Sequence, residues 1–257
     1  MKAYILAAGY ATRMYPLTRD LAKPLLEVAG APILTHIVRH LVELPDLSEL
    51  VEIGNDRFAD ALSSWADATP LPVPVRVLND GSRTARDRLG AVGDLAFALR
   101  AVPLAGEDWI ALAGDNLVLF DLRPHQRTLL ASRRPTLLLR ENDGGEASRY
   151  NEVTLGEDNR VVRFREKPRD PRSQWAAIAV YLFPPEVAPA LFRYLAEGGN
   201  PDAPGHFIAW LVEQMPVGAV AIEGEWFDIG SIESLEHARR RLSVEDSTPD
   251  PAPQKVC

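Results

Sequence analysis

The first apolar run of the chain, Ala3-Tyr4-Ile5-Leu6, is followed at once by Ala7-Ala8-Gly9-Tyr10-Ala11-Thr12-Arg13, and then by Lys23-Pro24-Leu25-Leu26. Ala7, Ala8 and Gly9 carry little side-chain bulk, so backbone N–H groups after a strand there can approach an anion closely. Arg13 and Lys23 add two positive charges, and the combination suits a triphosphate. Small residues after a first strand also make a simple tight turn, a reading that leaves the two cations unexplained. Two aspartates stand at the ends of other apolar runs, Asp115 after Trp109-Ile110-Ala111-Leu112-Ala113-Gly114 and Asp228 in Glu225-Trp226-Phe227-Asp228-Ile229-Gly230-Ser231. Taken singly, each is a turn former or helix cap. Beside a phosphate turn they become a ligand pair for one or two Mg²⁺ ions, which take oxygen ligands and keep positions for water and phosphate. Lys167 lies in Glu166-Lys167-Pro168 at the end of an extended run, where the proline stops a strand ladder and restricts the residue before it. It either addresses a second phosphate or is a solvated charge.

Elements that bring these groups together are legible as an alternation. A strand at 3–6 precedes a helix over 32–44, with Pro32 suited to its first turn. Strands at 50–53, 73–78 and 109–113 alternate with helices at 57–66 and 92–101, which predicts a parallel, doubly wound α/β sheet. Ligands on such sheets bind beyond the carboxyl ends of the strands, where Gly9, Asn79-Asp80-Gly81 and Gly114-Asp115-Asn116 all fall. Past Pro124 the segments 136–140, 150–155, 161–165 and 176–183 read as antiparallel additions forming a lid or second lobe. Helices at 185–197 and 206–214, a strand at 219–222 and a closing helix at 232–242 complete the domain. The change of character divides it into a part to about 124 and a part from about 125 to 242. Residues 243–257 are almost without apolar content and read as a disordered tail.

The chain has 257 residues, 46% of them hydrophobic and 25% charged, as expected of a globular protein. A formal net charge of −8 argues against general binding to nucleic acid or to a membrane surface, so an anionic ligand must meet a local basic site. The single cysteine, Cys257, excludes an intrachain disulfide. The N-terminal apolar run is too short for a signal peptide or a membrane span, and a cytoplasmic protein is expected.

Leu6-Ala7-Ala8-Gly9, Thr12-Arg13, Pro16-Leu17-Thr18, Lys23-Pro24-Leu25-Leu26, Gly114-Asp115-Asn116, Glu166-Lys167-Pro168 and Trp226-Phe227-Asp228-Ile229-Gly230-Ser231 occur in this order along nearly the whole chain. Together they resemble the signature blocks of the sugar-1-phosphate nucleotidylyltransferases, in particular the short glucose-1-phosphate thymidylyltransferase-like members. The resemblance implies a Rossmann-like three-layer nucleotidyltransferase fold with a mostly parallel central sheet and an antiparallel acceptor-binding lobe. It also implies transfer of a nucleoside monophosphate from an NTP to a sugar 1-phosphate, with Mg²⁺ required and pyrophosphate released. On the same resemblance, Leu6, Ala7, Ala8 and Gly9 wrap the nucleotide, and Arg13 holds the leaving pyrophosphate. Lys23 neutralises the phosphates during transfer, and Lys167 binds the attacking sugar phosphate. Asp115 and Asp228 are the metal ligands, Asp115 also belonging to the nucleotide site. Gly81 and Gly90, the latter in a Leu-Gly-Thr-Ala-Gly-like block, let the backbone meet the base. The acceptor site is implied at Tyr150, Asn151, Thr154, Glu166, Lys167, Ile178 and Ala179. Members of the family commonly form homo-oligomers.

Several positions depart from the family pattern. Ala11 replaces a glycine, which predicts an ordinary backbone region there, and Ala22 replaces a proline. Asn151 stands for a glycine, Thr154 for the glutamate that contacts sugar hydroxyls, and Ile178-Ala179 for a Thr-Gly pair. The acceptor is therefore expected to be something other than plain glucose 1-phosphate, such as a modified sugar or a cyclitol phosphate, unless Glu152 or Asn151 takes over the lost contacts. Asp202 and His206 are candidates to close the acceptor pocket or simply to start a helix. A dinucleotide-binding dehydrogenase is disfavoured by the missing GxGxxG. A cytidylyltransferase of phospho-alcohols or phosphonates, and a non-catalytic nucleotide sensor of the same fold, stay open, as does the base.

Overall fold

A computed structural model of the chain describes residues 1–142 and 150–245. Its elements run β1 (Lys2–Leu6), β2 (Glu27–Val28), β3 (Ala31–Pro32), α1 (Ile33–Leu41), β4 (Glu49–Gly54), α2 (Ala59–Ala68), β5 (Val75–Asn79), α3 (Ala91–Ala101), β6 (Trp109–Ala113) and β7 (Asn116–Leu119). They continue as α4 (Arg123–Ser132), β8 (Thr136–Glu141), β9 (Glu152–Leu155), β10 (Val161–Arg165), β11 (Trp175–Phe183), α5 (Val187–Ala196), α6 (Pro204–Gln214), β12 (Gly218–Ala221), β13 (Glu225–Asp228) and α7 (Ile232–Glu245).

The expected parallel alternation forms the centre of the molecule. β1 pairs in parallel with β4 on one side and β6 on the other, and β4 pairs in parallel with β5. Side chains alternate across this sheet with a period of two. Ala3 and Ile5 join a core completed by α1, Leu62 of α2, Leu129 of α4 and Leu235 of α7. Tyr4 and Trp109 join the opposite core, completed by α3, α5 and α6. The result is three layers, helices on both faces of one sheet.

The antiparallel segments do not stand apart as a separate lobe. β11 pairs with the edge of β6 and carries β8 and β9, so the order β10-β9-β11-β6-β1-β4-β5, with β8 and β12 attached through β11, makes a single 9-stranded sheet. β11 changes register against β8 between Ala177 and Tyr181. Its residues nevertheless keep their faces: Ile178, Val180 and Leu182 enter the first core, and Ala177, Tyr181 and Phe183 the second.

Some elements differ from the sequence expectation. α1 begins at Ile33, because Pro32 is taken into the two-residue β3. β7 and α4 have no counterpart in the expected alternation; β7 and β13 are only 4 residues each and pair with one another rather than with the main sheet. α7 runs on to Glu245, past the expected end at 242. The rest of the expected tail lies outside the described residues. Among the described residues no helix is long and apolar enough to cross a membrane.

Candidate active site

The turn after β1 presents unused backbone donors. Ala7 N–H is consumed by Ile53 O at 2.8 Å, but from Ala8 to Arg13 no amide N–H has an acceptor among the described residues. Asn55 Nδ2 donates to Ala8 O at 2.8 Å and ties the turn to the end of β4. Ala11 does not keep the ordinary backbone region expected of it: φ is 46° and ψ 40°, in the left-handed well. Buried Thr18 holds that conformation by donating Oγ1–H to Ala11 O at 2.8 Å. Met14, buried at the end of the following 3₁₀ turn, anchors it so that Arg13 is left exposed on the rim of a cleft.

Asp115 follows β6 and lies over the turn that carries Lys23. A Cβ on Gly114 would stand 3.0 Å from Leu6 O and 3.1 Å from Pro24 Cγ, so the close approach of these segments depends on that glycine. Lys23 Nζ donates to Asp115 Oδ2, and Asn116 Nδ2 donates to Asp115 Oδ1 at 2.8 Å. Burial by itself raises the Asp115 carboxyl, but the charge and hydrogen bond of Lys23, with the bond from Asn116, bring it below the usual carboxylate value. Asp228 ends β13 opposite Asn116 in the β7–β13 pair, and Ile229 N–H donates to Asp115 O at 3.1 Å. The two aspartates, distant in sequence, thus line one cleft of about 870 Å³. Two carboxylates supply the oxygen donors that Mg²⁺ prefers, and Mg²⁺ takes only part of its shell from protein. Among the described residues no group of three or more His, Cys, Asp and Glu side chains offers a closed metal site.

The far wall of the cleft comes from β8, β11, the start of α6, and the residues just before β9 and just after β10. Tyr150, Asn151, Glu166, Lys167 and Ala179 line it with Arg13, Asp115 and Asp228. Lys167 has φ 44°, a left-handed residue directly after β10, and its side chain is 63% exposed. Glu166 packs on the first turn of α6, where a Cβ on Gly205 would fall 1.8 Å from its Oε2; burial raises its carboxyl, with Lys167 and His206 opposing. Asn151 spends its side-chain amide on β11, donating Nδ2–H to Ala177 O at 2.8 Å and accepting Ala177 N–H at 2.7 Å.

Other expected site residues are placed elsewhere. Ile178 is buried on the opposite face of β11, so Ala177 and Ala179 line the cleft instead. Thr154 is exposed opposite Arg163 of β10 and does not line it. Glu152 takes over no contact there, since its carboxylate accepts from Arg165 and from the N–H groups of Arg172 and Ser173. Gly90 has φ 81° and a Cβ there would meet Pro201 O at 2.5 Å, so the glycine is required by the segment crossing it. Asp202 on that segment is bound by Arg88 Nη2 at 2.9 Å and lines no part of the cleft, nor does His206. Gly81, with φ 79° and open space at its Cβ, sits in an exposed turn closed by its N–H to Asn79 Oδ1 at 2.9 Å. Leu6 ends β1, Ala7, Ala8 and Gly9 form the turn after it, and Lys23 opens a separate turn beneath Asp115; none of the five is among the residues that line the cleft. Sequence reasoning gave no role to Arg140, Asn116 and Trp226; the available signal was an arginine ending the apolar run Thr136-Leu137-Leu138-Leu139.

A family model described as nucleotidyl transferase matches residues 2–244. A UTP–glucose-1-phosphate uridylyltransferase of Haloferax volcanii is 30% identical over 250 residues, spanning 95% of this chain and 98% of that protein. A glucose-1-phosphate thymidylyltransferase of Streptomyces antibioticus is 26% identical over 250 residues, spanning 97% of this chain and 68% of the relative. In fold, the chain is similar to a UDP-glucose pyrophosphorylase solved with UDP-glucose, at a TM-score of 0.81 and 17% identity, over 95% of this chain and 98% of the other.

Proposed function

The chain belongs to the nucleotidyl transferase family, and from that premise we propose that it joins an NTP to a sugar or cyclitol phosphate, yielding an NDP-sugar or its cyclitol counterpart and pyrophosphate. The observation that carries this reading is that Arg13 and Lys167, cations far apart in the sequence, line the same cleft as Asp115 and Asp228. Two polyanions can be held there side by side.

The free amides from Ala8 to Arg13 and the Arg13 guanidinium hold the triphosphate. Lys167 directs the acceptor phosphate at the α-phosphorus. An acceptor phosphate oxygen is already anionic, so it forms the new P–O bond without a protein base while the bond to pyrophosphate breaks. Lys23, brought in with Asp115, offsets repulsion between the two polyanions. Asp115 and Asp228 are the residues that would hold Mg²⁺, which when bound supplies charge neutralisation at the phosphates. For the acceptor we favour a modified sugar or cyclitol phosphate, because the expected carboxylate contact has no replacement at Thr154, Glu152 or Asn151.

The test is pyrophosphate release with Mg²⁺ from a panel of the common NTPs against sugar 1-phosphates, cyclitol phosphates and phospho-alcohols. Turnover only with CTP and a phospho-alcohol selects the cytidylyltransferase reading. NTP binding without pyrophosphate from any pair selects a sensor. Arg13→Ala is expected to cut kcat/KM by about 10²-fold or more while leaving the fold intact.

A further inference from the structure

Among the described residues, Arg140 is a charged side chain of the cleft without an ion-pair partner. It ends the run of β8 in which Thr136, Leu137, Leu138 and Leu139 are all buried. Its guanidinium carbon lies 4.5 Å from the centre of the Tyr150 ring and 5.3 Å from that of Trp226. Those two rings meet edge to face at 6.1 Å, so the guanidinium is held by both. Arg140 Nε is buried and has no hydrogen-bond partner, and among the described residues no carboxylate pairs with the side chain. An unpaired buried donor is costly, and a planar guanidinium is suited to bonding an oxyanion. The side chain borders the large cleft on its acceptor wall, beside Asn151 and Ala177, whose polar groups are already spent on each other. The contacts with the two neighbouring rings hold the guanidinium at the cleft, and a guanidinium can receive an oxyanion through two parallel N–H bonds.

We propose that Arg140 binds a second anionic group on the acceptor, a carboxylate or phosphate ester remote from the phosphate that reacts, so that the preferred substrate is an acidic sugar or cyclitol phosphate. The inference rests on the nucleotidyl-transfer reading and deepens it on the acceptor side.

The experiment compares kcat/KM within matched acceptor pairs, using whichever NTP supports turnover. Glucose 1-phosphate is set against glucuronic acid 1-phosphate and against glucose 1,6-bisphosphate, which place a carboxylate or a phosphate at C6. N-acetylglucosamine 1-phosphate is set against N-acetylmuramic acid 1-phosphate, which adds a carboxylate through an ether on O3. The wild-type protein is expected to prefer the acidic member of at least one pair by about 10- to 100-fold, the range of a charge-assisted hydrogen bond. Arg140→Gln should bring that ratio close to one, chiefly through KM, and Arg140→Lys should restore part of it. A role confined to packing the two rings would shift Tm and scale both acceptors alike. Equal or better use of the neutral member in every pair overturns the proposal, as does an acidic preference that Arg140→Gln leaves unchanged. If no donor and acceptor release pyrophosphate, the transfer reading itself fails and this inference falls with it.

Discussion

Trp226 Nε1 donates to Asn116 Oδ1 at 2.7 Å, and Asn116 Nδ2 donates in turn to Asp115 Oδ1 at 2.8 Å. The carboxylate proposed to hold the metal is thereby tied to the aromatic wall of the cleft, and Lys23 takes its other oxygen. Both ends of the Asn116 amide are engaged, so neither it nor Asp115 can rotate without breaking a bond. Trp226→Phe keeps the ring and removes the donor. Because a neutral hydrogen bond is worth about 0.5–1.5 kcal/mol, kcat for pyrophosphate release is expected to fall by up to about tenfold, with near-normal thermal stability. Wild-type kcat in that variant would show that the relay does not position Asp115.

Lys23→Met keeps the stem of the side chain and removes its charge. Turnover should drop by about 10²- to 10³-fold, the cost of losing one preorganised cationic donor. Lys23 holds the Asp115 carboxyl below its usual value against the opposing effect of burial. A carboxyl with a depressed folded pKa contributes stability above its unfolded pKa and loses it as the pH falls through the folded value. The Tm difference between wild type and Lys23→Met should therefore be largest near neutrality and shrink in acid, and the acid limb of the residual activity should move to higher pH.

Ala11→Gly should stabilise the protein. Alanine at φ 46° is strained by roughly 1–2 kcal/mol, part of which glycine returns as unfolded-state entropy. A net gain approaching about 1 kcal/mol corresponds to a Tm increase of roughly 2–4 °C for a chain of this size. Calorimetry measures it directly, and a lower Tm would mean that the unfolded-state entropy of glycine outweighs the strain relieved.

Asp94, in the first turn of α3, is pushed up to about 8 by burial and, secondarily, by the neighbouring Asp80 carboxylate. An acid with a raised folded pKa contributes its full stability below the unfolded value and loses it as the pH rises through the folded one. Asp94→Asn should match wild type near pH 4, gain progressively between about pH 4 and pH 8, and hold a constant advantage of a few kcal/mol above that. Denaturant titrations at three pH values suffice, and a pH-independent difference would rule out titration of Asp94 as its source.

What the sequence alone determined is what neighbouring residues encode. The strand of Tyr4 and Ile5, the small-residue turn, Arg13 and the aspartate closing the Trp109–Ala113 strand are all read within a few positions of one another. The helices and strands around them follow from periodicity in the same local windows. The facing of β11, which buries Ile178 and turns Ala177 and Ala179 to the cleft, was settled by the long-range pairing of that strand. Asn151 mimicking a strand partner of Ala177, Pro201 crossing Gly90, and Arg140 held by Tyr150 and Trp226 likewise join segments far apart in the chain. Such contacts form only when the sheet closes and distant surfaces compete for the same space. That competition is why the small-residue turn, Arg13 and Asp115 were legible beforehand and the wall formed by Arg140, Tyr150 and Ala177 was decided by the tertiary structure.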